Sequence, residues 1–407
     1  MVGPTVTVAD VRAAATRLAD VVRRTPMEPC RVLSERLGGP VLLKCENLQR
    51  GGSFKIRGAY HRMARLDADQ RAAGVVAASA GNHAQGVALA AAILGIEARV
   101  FMPTGTPLPK VAATRGYGAE VEFAGHRVDE AIAAAIKAAA ADGTVLVHPF
   151  DHPDVVAGQG SLGLEILAQC PQVRTVLVAT GGGGLLAGVA AALADQPQVR
   201  VVGVQAGSAA AYPASLAAGH PVTLRTLSTM ADGIAVARPG DVPFGVIAAL
   251  GVEVITVSEE QISRALLLLV ERVKLVVEPA GAAAVAALLD PEQAREHGLR
   301  PPVVAVLSGG NLDPLLLFRV IEHGMAAAGR YLELRLRLPD RPGSLAGLLG
   351  VLAGTDANVL EVQHGRASPG TMVGEAEVAL RLETQGAQHR ERVLAELGAA
   401  GYVRISP

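Results

Sequence analysis

Tryptophan is absent from this 407-residue chain, and aromatic residues of all kinds reach only 3%. The composition therefore offers little for stacking nucleic-acid bases. Neither charge sign dominates. Lys and Arg number 37 against 38 Asp and Glu, a formal net charge of -1, so there is no electrostatic footprint for a phosphate backbone. Cysteine is scarce: Cys30, Cys45 and Cys170 are scattered and odd in number. That fits neither a disulfide framework nor a zinc site, and it suits a reducing cytosol. Long apolar runs are missing too. Residues 265–270 and 280–289 are bounded by Arg264, Glu271, Glu278 and Asp290, too short to span a bilayer. Met1-Val2-Gly3-Pro4-Thr5 shows no basic segment followed by an apolar one, so no signal peptide is expected and the location expected is cytoplasmic.

What the chain does have is alanine, valine and leucine, the bulk of a 50% hydrophobic content. A chain this long is expected to form two or three domains. From about residue 40 to about 325, strand-like runs such as Val41-Leu42-Leu43-Lys44-Cys45 alternate with alanine-rich helical runs. That is the pattern of parallel sheets covered by helices. After residues 325–329 the pattern changes. Tyr331-Leu332-Glu333-Leu334-Arg335-Leu336-Arg337-Leu338 alternates strictly and reads as a half-buried strand. Asp340-Arg341-Pro342-Gly343-Ser344-Leu345 is a turn with Ser344 as candidate helix cap. A helix to Ala353, strands near 359–364 and 374–383, a helix over 388–397 and a strand over 402–405 complete a βαββαβ order.

Four segments carry chemistry. In Gly52-Ser53-Phe54-Lys55-Ile56-Arg57-Gly58-Ala59 a lone lysine sits among small and apolar neighbours. Desolvation lowers an amine's pKa, and a neutral amine can condense with an aldehyde. Ser79-Ala80-Gly81-Asn82-His83-Ala84-Gln85-Gly86 lies between a strand-like run and a helix-like one. A helix start there presents free N–H groups to an anion such as a carboxylate. Gly181-Gly182-Gly183-Gly184-Leu185-Leu186 follows the strand-like residues 175–179 and precedes helix-like residues 187–194, so its backbone can fold into a phosphate nest. Leu307-Ser308-Gly309-Gly310-Asn311 follows the strand-like residues 303–306. A dinucleotide loop at Gly181 would require an acidic end to the next strand, where Gln205 stands instead.

In that order, Ser53-Phe54-Lys55, Ser79-Ala80-Gly81-Asn82-His83, Gly181 to Gly184 and Ser308-Gly309-Gly310-Asn311 resemble the pyridoxal-phosphate enzymes of the tryptophan-synthase-β type, fold type II. Within them the chain is most similar to the serine/threonine dehydratase family, in its threonine dehydratase (threonine ammonia-lyase) branch. The C-terminal order, opened by Asp340-Arg341-Pro342-Gly343-Ser344-Leu345, resembles the ACT domain, a regulatory module; a plain oligomerisation domain is the alternative.

The resemblance implies an α/β catalytic domain over residues 1–326 with two parallel-sheet lobes, the smaller (roughly 52–143) inserted in the larger. It also implies a ferredoxin-like α+β ACT domain over 331–407 and a homodimer or homotetramer. Lys55 would hold pyridoxal phosphate and then take the Cα proton of an amino-acid substrate. Phe54 would pack on the ring, Asn82 would donate to its hydroxyl oxygen, and Gly181, Gly182, Gly183, Gly184 and Leu185 would hold the phosphate. Ser79, Ala80, Gly81, Asn82 and His83 would hold the substrate carboxylate, with a capping or packing role favoured for His83 itself. Ser308 would give the ring nitrogen a neutral partner, which favours loss of a β-hydroxyl from threonine or serine over transamination. No motif supplies an obvious carboxylic acid, so the resemblance assigns the leaving group's proton to the cofactor phosphate. An effector, isoleucine or valine, is expected near Gly343, Asn358 and Leu360.

Two departures narrow the reading. Related racemases carry a serine where this chain has Ala80, so little racemisation is expected. Relatives that bind a divalent cation use acidic residues after the strand ending near Val204; here Gln205-Ala206-Gly207-Ser208 supplies none, and no metal site is expected. The rivals are a β-replacement enzyme of the same fold, which typically shows a Ser-x-Lys-Asp-Arg segment, and a non-catalytic amino-acid sensor, which has no use for a reactive lysine.

Overall fold

A computed structural model describes residues 5–327, 329–366 and 373–405. The chain divides into two compact units, Met1–Asp313 and Pro314–Pro407. The helix Pro314–Ala327 groups with the C-terminal unit, whereas the sequence reading placed it with the catalytic part.

The N-terminal unit holds two sheets. The larger has six strands in the order Met27–Pro29, Val41–Lys44, Val303–Val306, Thr175–Ala179, Arg200–Ala206 and Glu253–Val257. All its pairings are parallel except the first. The smaller is fully parallel: Glu120–Phe123, Ala98–Met102, Val75–Ala78 and Val145–Leu146. Its last strand lies just past the expected edge at 143. Strands such as Val75–Ala78, Thr175–Ala179 and Val303–Val306 are buried at every residue, because helices cover both faces. That is why they read as continuous apolar runs.

The helix Pro153–Gln169 carries Gly158, Gly160 and Gly163, and these let two neighbours approach closely. A Cβ on Gly158 would lie 2.6 Å from the Arg57 carbonyl of the helix Lys55–Ala64. A Cβ on Gly160 would lie 2.6 Å from the Gly188 carbonyl of the helix Gly184–Ala192. One helix therefore spaces the lysine segment from the glycine loop.

The C-terminal unit has a four-stranded antiparallel sheet in the order Asn358–Gly365, Glu375–Glu383, Tyr331–Pro339, Val403–Arg404. This realises the expected βαββαβ order. Tyr331–Pro339 buries Leu332, Leu334, Leu336 and Leu338, which pack with Leu348, Leu352, Val393 and Leu397 of the helices Ser344–Ala353 and Ala387–Ala399. Ser344 is not the cap. Gly343 occupies that position at φ 90°, a left-handed conformation that glycine adopts without strain, and Ser344 is the first helical residue.

Candidate functional site

All four chemistry-bearing segments meet in one cleft of about 480 Å³ in the N-terminal unit, at the carboxyl ends of the strands they follow. Lys55 opens the helix Lys55–Ala64. Its Nζ donates to the Pro149 carbonyl at 2.9 Å and stands 5.2 Å from the centre of the Phe54 ring. Burial lowers its pKa to about 8, and the Glu278 charge pulls weakly the other way. The amine is thus neutral in part near physiological pH.

Ser79 follows the strand Val75–Ala78, and Asn82 begins the helix Asn82–Leu94. Gly81 caps this helix without a side-chain bond, so first-turn N–H groups face the cleft uncapped. Ser79 Oγ accepts from the Gly81 N–H at 3.1 Å and tightens the turn. Buried His83 donates from Nε2 to the Val147 carbonyl at 2.7 Å. Burial and the Lys55 charge hold its pKa near 3, so the ring is neutral and fastens the turn to the neighbouring segment.

The second cradle follows the strand Thr175–Ala179. The helix expected from Ala187 begins earlier, at Gly184, directly on the loop. Two glycines show why no other residue fits. A Cβ on Gly182 would lie 2.5 Å from the Phe150 ring; one on Gly183, at φ 99°, would lie 1.8 Å from the Tyr212 hydroxyl. That hydroxyl donates to the Gly182 carbonyl at 3.1 Å. Ser308, at the end of the strand Val303–Val306, lines the same cleft, and its carbonyl accepts from Phe54 N–H at 3.2 Å.

The structure adds one group that the motifs missed. Glu278 is buried and lines the cleft, so a carboxyl group is present after all. Burial, with repulsion from Asp232, raises its pKa to about 7. Its Oε1 accepts from Asn82 Nδ2 at 2.6 Å, and Asn82 Oδ1 accepts from Asn311 Nδ2 at 2.8 Å. The sequence signal was a single charge in the apolar stretch Leu275-Val276-Val277-Glu278-Pro279-Ala280.

Comparison with known families agrees with this geometry. Residues 18–309 match the family described as "Pyridoxal-phosphate dependent enzyme". The chain belongs to that family. Residues 333–401 match the ACT domain. An L-threonine ammonia-lyase of Geobacter sulfurreducens is 47% identical over 394 residues, 97% of each chain. Among solved structures, threonine deaminase isoform 2 from Solanum lycopersicum is 37% identical at a TM-score of 0.74, covering 78% of this chain and 95% of its own. A maize serine racemase matches at the same TM-score with 34% identity, covering 79% and 98%. The fold alone therefore does not select the reaction.

The residues present fit the cofactor of the family. The glycine loop is closed against side chains by Phe150 and Tyr212 and offers backbone N–H groups for a phosphate, and Lys55 supplies a partly neutral amine in the same cleft. The same tests of position separate the expected effector residues. Strand register pairs Asn358 with Glu383 and Glu383 with Tyr331, while Pro339, just before the Gly343 turn, pairs with Glu375 at the other end of the sheet. The intervening helix Ser344–Ala353 returns the chain to the end where Tyr331–Pro339 began. Within one chain, Gly343 is not brought together with Asn358 and Leu360; Leu360 sits at a bulge, 51% exposed. No helix among the described residues is long and apolar enough to cross a membrane, and no cluster of metal-ligating side chains occurs among them.

Proposed function

We propose that this chain removes water from L-threonine, and from L-serine, leaving an enamine whose imine tautomer is hydrolysed by water to 2-oxobutanoate or pyruvate with ammonia. The observation that carries the reading is the convergence of Lys55, Asn82, the loop from Gly181 to Gly184 and Ser308 on one cleft. The full-length similarity to an L-threonine ammonia-lyase supports it over the other activities of the fold.

Pyridoxal phosphate, when bound, supplies the electron sink that makes the Cα proton of an amino acid acidic. The chain's own residues supply the rest. Lys55 would hold the cofactor and, once freed, accept that proton at Nζ, a task suited to an amine poised near pH 8. Phe54 would pack on the ring, and Asn82 would donate to its hydroxyl oxygen. N–H groups of Gly181, Gly182, Gly183, Gly184 and Leu185 would hold the phosphate beside a helix start. The turn of Ser79, Ala80, Gly81, Asn82 and His83 would hold the substrate carboxylate. Ser308 would leave the ring nitrogen with a neutral partner. Ala80 brings no hydroxyl to the cleft, which favours elimination over racemisation.

We further infer a homo-oligomer, dimer or tetramer, working in the cytoplasm, with a branched-chain amino acid as effector of the C-terminal unit. Given the strand register, the Gly343 turn and the Asn358–Leu360 segment stand as two separate candidate contacts for that effector. Steady-state turnover of L-threonine and L-serine, with and without isoleucine, tests both parts. Absence of 2-oxo acid from either substrate sinks the activity. Unchanged kinetics and unchanged oligomeric state across an isoleucine and valine titration sink the regulation.

A further inference from the structure

A side-chain amide at the mouth of a cofactor pocket has a built-in ambiguity. Its oxygen and nitrogen ends are nearly the same shape, and a half-turn exchanges an acceptor for a donor. Around Asn82 the structure removes that freedom. Asn311 Nδ2 donates to the Gly51 carbonyl at 2.8 Å and to Asn82 Oδ1 at 2.8 Å, so a backbone acceptor fixes which end of Asn311 faces Asn82. Asn82 must then present its nitrogen on the other side, where Nδ2 donates to Glu278 Oε1 at 2.6 Å. Glu278 is itself held. It stands at the N-cap position just before the helix Pro279–Ala286, and its N–H donates to the Gly309 carbonyl at 3.0 Å. The charged groups acting on its carboxyl are Asp232, Lys110 and Lys55.

We propose that Glu278 and Asn311 are positioning residues that set the polarity of the Asn82 amide, leaving it one uncommitted N–H for an oxygen acceptor in the cleft. The chain of bonds runs in one sense, from the Gly51 carbonyl through two amides to the Glu278 carboxyl group. Of the four side-chain amide N–H bonds of Asn82 and Asn311, three are committed. A ligand oxygen carrying negative charge is welcomed by that last N–H, while Asn82 Oδ1 is held toward Asn311. This inference rests on the reading of Asn82 given above.

The test uses the full chain reconstituted with pyridoxal phosphate. Asn82→Ala, Glu278→Ala, Glu278→Gln and Asn311→Ala are compared, together with the Asn82→Ala/Glu278→Ala double variant. The readouts are the cofactor dissociation constant of the apoprotein, the absorbance spectrum of the bound cofactor, and apoprotein melting as a control for folding. Asn82→Ala is expected to weaken cofactor binding about tenfold, the scale of one charge-assisted hydrogen bond, and to shift the absorbance band. Glu278→Ala and Asn311→Ala shift the band in the same direction, Glu278→Gln restores most of it, and the double variant is no worse than Asn82→Ala alone. A silent Asn82→Ala overturns the role given to Asn82 and this inference with it. A perturbed Asn82→Ala beside silent Glu278 and Asn311 variants, or fully additive losses in the double variant, overturns this inference alone. Should Glu278→Ala fail to fold, Glu278→Gln and Asn311→Ala decide the matter by the same spectrum.

Discussion

The two units solve the same problem, where to put charge beside a sheet, in opposite ways. In the N-terminal unit Arg57, two residues after Lys55, is fully buried, with Nε and Nη2 bonded to Glu46 at 2.8 and 2.9 Å and Nη1 to Glu165 at 2.7 Å. Lys44 completes the set, donating to Glu165 at 2.7 Å and to the Thr25 carbonyl at 2.8 Å. Two cations and two carboxylates are thereby neutralised inside, under the start of the lysine helix. In the C-terminal unit Arg381, 36% exposed, pairs with Glu322, Glu333 and Glu361 on the polar face of the sheet and covers the Tyr331 ring at 5.0 Å. Buried pairs are strongly penalised when broken; open pairs on a wet face are nearly interchangeable with water. The comparison therefore predicts where substitutions hurt.

The largest effect is chemical. Lys55→Ala removes the group on which the cleft converges, and turnover of L-threonine is expected to fall by more than about a thousandfold, with the cofactor's absorbance band lost. The isoleucine binding proposed for the C-terminal unit, measured by calorimetry, should survive, since the residues proposed for it lie in the other compact unit. Joint loss would contradict that separation.

Next comes the buried network. Arg57→Met strands Glu46 without its bidentate partner and is expected to cost about 3–5 kcal/mol in denaturant unfolding of the N-terminal unit. The pH dependence carries a definite sign. Burial alone would raise the Glu46 pKa, but the charge and hydrogen bonds of Arg57 outweigh it and hold the carboxyl below 4.5. In the natural chain that contribution is complete above pH 4.5 and fades as pH falls through the lowered value. In the variant, burial dominates and raises the pKa, so protonation favours the fold. The gap between the two proteins should narrow as pH is lowered from 7 toward 4.5. A gap independent of pH would mean that Arg57 acts by packing.

These two predictions differ in how far they were readable beforehand. That Lys55, the glycine loop and the Asn82 turn belong together was legible because each lies in a run of small residues side by side in sequence, and the structure brings them to one cleft. The parallel strands were legible for a related reason: burial on both faces leaves no polar position to interrupt them. Glu278, Glu46 and Glu165 were not legible. Each is one acidic residue whose partner is brought near by folding, as with Asn82 and Glu278, 196 positions apart. The spacing of the effector residues was hidden for a different reason. Gly343 and Asn358 are close in sequence, and only the strand register reveals that a helix carries the chain back across the sheet.

Gly183→Ala is expected to act on a middle scale. A Cβ at φ 99° costs about 1–2 kcal/mol in backbone terms alone, and the contact with the Tyr212 hydroxyl adds to it. Cofactor affinity, titrated by absorbance, should fall accordingly. Adding Tyr212→Phe removes the hydroxyl contact but leaves the ring carbon 2.7 Å from the new Cβ and the backbone strain in place, so recovery should be partial. Full recovery would show that the loop tolerates both the left-handed strain and the remaining ring contact.

The smallest effect closes the contrast with Arg57. Arg335 pairs with Glu377 at 3.3 Å across adjacent strands of the C-terminal unit, and its side chain is 61% exposed. Arg335→Ala removes a cation as Arg57→Met does, yet the arginine end lies in water and Glu377, 16% exposed, keeps access to it. The expected change is below about 0.5 kcal/mol in the melting of the C-terminal unit, shrinking further as salt screens the pair. A loss comparable to that of Arg57→Met would mean that this face is dry in the working protein, covered by something that excludes water as thoroughly as the helices do in the N-terminal unit.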